Sequence, residues 1–158
     1  MAEIRKELLE NLGMTAINLQ LWCLGAERLV PALRSSAKRF KEESFVEIDG
    51  KEIASHYEVF SSVLETALGI LSPALVELHL ARSEKQIPSK ELLAKILLTL
   101  SVVNKSSRAM PSQGNVWRWK PDYHQVRRAN QPLEDVDDIG QWVDGLVSNI
   151  MPLYEVSV

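Results

Sequence analysis

The sequence predicts an all-α protein: one helical domain over residues 1–158, a bundle of five to six helices with a short extended piece near residues 45–50. Three observations lead there. Apolar residues recur at three- and four-residue spacing through most of the chain, the period of a helix with one buried face. Proline, glycine and serine punctuate these stripes into pieces of helical length. The chain has 158 residues, 46% hydrophobic and 25% charged, which matches one globular domain and excludes disordered and collagen-like composition.

The first third is helical by pattern. Ile4, Leu8 and Leu12 share one face, and Leu21, Leu24, Arg28 and Leu29 continue it beyond Gly13 and Met14. That spacing predicts one bent helix, or a short helix followed by a long one. Pro31 removes a backbone donor and is expected to kink or break the helix. Leu33, Ala37 and Phe40 resume helical spacing after it. Arg34, Lys38, Arg39 and Lys41 crowd the polar side, where positive charge near a helix C-terminus meets exposed carbonyls; this reading is preferred to a binding patch.

Residues 45–53 support two readings. Asp49-Gly50 between alternating apolar residues is a hairpin signal, and Asp49 with Glu52 also fits a capping box. The stripe Ile53, Tyr57, Phe60, Leu64, Ala67, Leu68, Leu71 decides for a helix. Ser72-Pro73 suits the cap and first position of a new helix. Leu75, Leu78 and His79 then face inward, and Gln86-Ile87-Pro88 closes that unit. Ser89 caps the next helix, whose stripe is Leu93, Ile96, Leu97, Leu100 and Val103, ending near Arg108. Residues 110–122 read as a loop. A last helix begins after Pro132, with Glu134 and Asp135 against its N-terminus and Leu133, Val136, Ile139, Val143, Leu146 and Ile150 on its buried face.

Several chemistries find no support in the sequence. The seven glycines are scattered, so there is no phosphate-cradling loop. Cys23 is the single cysteine, which excludes an internal disulfide and a multi-cysteine zinc site, and it reads as packing. Glu52 and His56 share a helix face but lack a second histidine nearby, and His79 reads as a boundary residue. No metal, no cofactor and no catalytic set is expected. The charged first ten residues carry no signal-peptide core, and Thr15, Asn18 and Gln20 interrupt the longest uncharged run, so a cytoplasmic protein without a membrane span is expected.

Charge is segregated toward the end. Residues 105–128 carry six Lys/Arg against Asp122, and residues 129–158 carry six Asp/Glu and no Lys/Arg. Within the basic stretch, Trp117, Arg118, Trp119, Lys120, Tyr123, Arg127 and Arg128 interleave aromatic and cationic side chains. Such a segment anchors protein interfaces, stacks on single-stranded nucleic acid, or folds back over a bundle end. Arg118 and His124 resemble in spacing the arginine and histidine of HEPN-type helical ribonucleases, although Trp119 stands where those enzymes carry a polar residue and Pro121 interrupts the helix start. The resemblance implies phosphate binding by Arg118 and acid–base work by His124.

The C-terminal residues 150–158 are apolar for a tail and are expected to dock on their own bundle or on a neighbour. The favoured reading is a non-catalytic interaction module, a subunit of a larger assembly or a homodimer, whose contact surfaces are residues 116–128 and this tail. Single-stranded RNA or DNA binding through the same segment is the alternative, and a HEPN-like ribonuclease is a third reading.

Overall fold

A computed structural model describes residues 2–42, 50–110 and 136–158, with side chains from Arg5 onward in the first of these segments. The described residues form four helices and no strand: α1 (Ala2–Glu42), α2 (Gly50–Ser83), α3 (Lys90–Arg108) and α4 (Val136–Val156). Each packs against its neighbour in chain order, and α4 closes on α1. Neighbours run antiparallel. Gln20, Arg34 and Lys41 of α1 meet His79, Glu65 and Glu58 of α2. Asn11 Nδ2 donates to the Asn149 carbonyl of α4 at 2.8 Å. The all-α bundle is as expected; residues 45–49, where an extended piece was expected, lie outside the described residues.

Among the described residues four helices stand where five to six were expected, because two breaks do not occur. α1 runs through Gly13, Met14 and Pro31, and α2 runs through Ser72 and Pro73. An interior proline costs a helix about 3 kcal/mol, so something must outweigh it. Both prolines face solvent, as do Glu27 and Gly69, whose carbonyls lose their donors to water instead of to the core. On the inner side, Val30, Ala32 and Leu33 around Pro31, and Leu71 and Ala74 around Pro73, stay buried. Packing on both flanks holds each helix in one piece.

The heptad phase never slips. Leu12, Ala16, Leu19, Cys23, Ala26, Val30, Leu33, Ala37 and Phe40 alternate steps of four and three, and all are buried. Ile53, Tyr57, Phe60, Leu64, Ala67, Leu71, Ala74 and Leu78 do the same on α2. Leu93, Ile96, Leu100 and Val103 follow on α3, and Ile139, Val143, Leu146, Ile150 and Leu153 on α4. A period of 3.5 in every helix is the packing of a left-handed bundle. It also corrects the expected face of α1: Leu21 and Leu24 point outward, while Trp22 and Cys23 are buried, because no restart at Gly13 shifts the phase.

Local signals work where no long helix competes. Ser89 caps α3, its hydroxyl accepting from Leu92 N–H at 3.2 Å. The tail docks on its own bundle: α4 continues through Pro152, Leu153 is fully buried, and Lys90 lies 4.8 Å over the Tyr154 ring. The expected start of the last helix at Glu134 and Asp135 lies outside the described residues.

α2 departs from expectation in another respect. By length and composition alone it is long and apolar enough to cross a membrane, and a third of that apolar window is buried inside the protein. The same excess of apolar residues builds the surface described next.

Candidate functional site

The residues expected to form the contact segment, Trp117, Arg118, Trp119, Lys120, Tyr123, Arg127 and Arg128, lie outside the described residues, as does His124. The basic cluster of α1 is partly committed elsewhere. Arg34 pairs with Glu65 and Lys41 with Glu58, both across the α1–α2 seam. Arg39 and Lys41 lie in the last turn of α1, as expected for charge that complements exposed carbonyls.

The other singled-out groups have ordinary surroundings. His79 Nε2 lies 3.0 Å from Gln20 Oε1 at the helix boundary. Cys23 is buried, and burial, with Glu27 one turn along the helix, pushes its thiol up to about 12. Glu52 and His56 are joined by no third ligand, since no group of three metal-binding side chains occurs among the described residues.

A groove of about 590 Å³ lies between α2 and α3. Val59, Val63 and Ile70 line one wall and Leu98 and Val102 the other. These are not edge residues of the core: Val59 is 59% exposed, Leu98 68% and Val102 60%. The α2 wall continues the heptad logic of the core in a second phase. On α2 the sequence Val59, Val63, Thr66, Ile70 steps by four, three and four. On α3 Leu98 and Val102 are one turn apart, with exposed Lys95 and Lys105 three residues to either side. Glu58 is the one ionisable side chain in the lining, and it is held by Lys41. The groove is thus largely apolar in its lining, with Lys95 and Lys105 at the two ends of its α3 stripe.

A second exposed apolar stripe runs down the outer face of α1. Met14, Ile17, Leu21 and Leu24, between 37% and 57% exposed, point away from the core. Val76 and Leu80 are also exposed, but on α2 they repeat at seven-residue intervals the positions of Ser62 and Val59, which line the α2–α3 groove. Where α1 begins and α2 ends, Arg5, Lys6, Arg82 and Lys85 surround Glu10 in an open cleft.

Sequence reasoning missed both apolar surfaces, because it stopped once each helix had one buried stripe. The signal was available: α1 and α2 carry apolar heptads in two phases, more than one core face needs. No family model matches the chain, and neither the curated proteins nor the solved structures compared with it show a match.

Proposed function

We propose that this protein is a helix-docking module, a subunit that receives one amphipathic helix of a partner protein in the groove between α2 and α3. The observation that supports it is the second apolar stripe of α2, Val59, Val63 and Ile70, set opposite the exposed Leu98 and Val102 of α3. A helix laid between Val59–Ile70 and Leu98–Val102 meets on α2 the same steps of four and three that seat the bundle's own helices, and one apolar turn on α3. The α2 wall spans about three turns, roughly 17 Å, which sets the length of the occupant. Exposed apolar surface of this kind is uncommon on isolated monomers and frequent at interfaces. Lys95 and Lys105, at the two ends of the α3 stripe, favour acidic residues at the ends of the partner's apolar face.

The lining offers apolar contact and a few hydroxyls but no paired acid and base, so the reading is binding without catalysis. The nucleic-acid and ribonuclease readings rest on residues 116–128, to which the described part of the chain adds no observation.

The test is selection of displayed helical peptides on the purified protein, followed by affinity measurement against Leu98→Glu and Val102→Glu. Expected are peptides with apolar residues at steps of three and four and acidic flanks. Each substitution should weaken them at least about tenfold, as for a charge placed in a desolvated apolar contact, with unchanged circular dichroism. Failure to select such peptides, or equal binding by both variants, overturns the proposal.

A further inference from the structure

The cleft where α1 begins and α2 ends is shaped by two residues that go against local backbone preference. α2 closes in a turn in which Gln86 N–H donates to the Ala81 carbonyl at 2.9 Å and Lys85 N–H to the Arg82 carbonyl at 3.2 Å. That pattern puts Lys85 at the left-handed position after the helix, with φ at 56°, where glycine is the usual residue and a side chain adds strain. Arg5 Nη2 donates to the Lys85 carbonyl at 3.0 Å and ties this turn to the first turns of α1. On α1 the choice is inverted. Gly13 lies buried inside the helix, where alanine is the better helix former, and a Cβ there would stand 3.2 Å from Nε and 3.4 Å from Cζ of Arg82. Glycine thus leaves room for the guanidinium to lie against α1. A side chain where glycine suits, and a glycine where alanine suits, each place a cation in the same cleft. Local preferences set aside twice at one spot are expected of a functional site.

We infer that this cleft binds a ligand with a phosphate group on an apolar body. The cleft holds about 670 Å³ and gathers Arg5, Lys6, Arg82 and Lys85, all exposed, against Glu10 alone, in a chain of net charge −3. No ion pair joins any of these five among the described residues. Like charge gathered without neutralisation calls for an anion, and the balance selects phosphate. Four cations and one acid leave three positive charges in excess; a phosphomonoester brings nearly two negative ones, a carboxylate one. The planar forks of Arg5 and Arg82 suit phosphate oxygens, which accept paired N–H donors. Leu9, Met14 and Ile17 line the same cleft and give the ligand's body an apolar wall. Glu10 opposes the anion and keeps the site selective for groups of more than one charge. The lining shares no residue with the α2–α3 groove, so this site and the docking of a helix stand or fall separately.

Isothermal titration calorimetry of the full chain with hexyl phosphate tests this, with inorganic phosphate as the comparator that lacks the body. Hexyl phosphate should bind about tenfold or more tightly than inorganic phosphate, and its affinity should fall with added salt. Arg82→Gln should weaken binding about tenfold or more, and Glu10→Gln should tighten it. Lys85→Gly and Gly13→Ala should each weaken binding while raising the thermal midpoint, because each restores the residue that the backbone favours. A merely structural role would not move affinity and stability in opposite directions. Co-sedimentation with phosphatidylcholine vesicles, with and without phosphatidic acid, separates the two sources of such a phosphate. A soluble ligand gives binding of hexyl phosphate alone; a membrane lipid gives retention only on vesicles that carry phosphatidic acid, lost in Arg82→Gln. A chain that binds neither probe overturns the inference. So do Arg82→Gln and Lys85→Gly proteins that bind as the wild type does, and so does equal affinity for inorganic and hexyl phosphate, which would leave the apolar wall without a role.

Discussion

Nε2 of His79 lies 3.0 Å from Oε1 of Gln20, and the next two cross-seam pairs, Arg34–Glu65 and Lys41–Glu58, fall two and three heptads further along both helices. Three polar contacts at a constant register mean that α1 and α2 hold one antiparallel alignment over most of their length. A helix pair of uniform 3.6 period would drift out of such alignment; one under-wound to 3.5 keeps it. The polar pairs therefore mark the register that the apolar heptads impose.

They mark it more than they stabilise it. Arg34 and Glu65 have side chains 53% and 59% exposed, so solvent screens their attraction. A double-mutant cycle with Arg34→Ala and Glu65→Ala should give a coupling of about 0.2–1 kcal/mol, shrinking with added salt. A coupling above about 2 kcal/mol in urea denaturation would show that the seam is held by charge and not by its buried heptads.

Pro73 sits inside α2 at an exposed position, so alanine there restores a backbone donor without opening a cavity. The interior proline penalty of about 3 kcal/mol, less the entropy that alanine returns to the unfolded chain, leaves an expected gain of about 2 kcal/mol for Pro73→Ala. Chemical denaturation measures it. No gain, or a loss, would mean that α2 needs the altered geometry at this point for its neighbours to pack.

Cys23 holds its proton far more tightly folded than unfolded, because burial disfavours the thiolate and the Glu27 charge adds to the penalty. The folded value is about 12 against an ordinary 9.0. Between them the unfolded chain has released a proton that the native state retains, so the native state binds more protons and stability falls as pH rises. The stability is intact below pH 9 and declines above it, by up to about 1.4 kcal/mol per pH unit. Cys23→Ala should flatten this alkaline slope relative to the wild type, and native Cys23 should resist alkylation at pH 8 until denaturant is added. Equal slopes in the two proteins would show that the thiol does not govern the transition.

The legible parts of the fold were those whose signal is contained within a few turns. Ser89 was readable as a cap because its hydroxyl serves a donor three residues away. The stripe from Ile53 to Leu71 was readable because its repeats sit on one uninterrupted segment. Pro31 and Pro73 misled for the same reason. A proline is a local penalty, while the burial that overrides it lies on a different helix, so the count of helices depended on contacts that no short window contains. The continuous heptad from Leu12 to Phe40 was the available clue, since a real break rarely preserves phase on both sides.

The candidate surfaces follow the same division. By itself the sequence determined an all-helical chain, the inward heptad of α2, the packing role of Cys23 and the docking of the apolar tail, because each follows from hydrophobic period and the need to bury it. Only the tertiary structure decided that Val59, Ile70, Leu98 and Val102 face one another across an open groove, and that Leu21 and Leu24 turn to solvent while Trp22 turns to the core. An apolar residue says that it favours burial, not against what. The four described helices in a ring give each one a single inward face, and any second apolar face is then left outside the core they share.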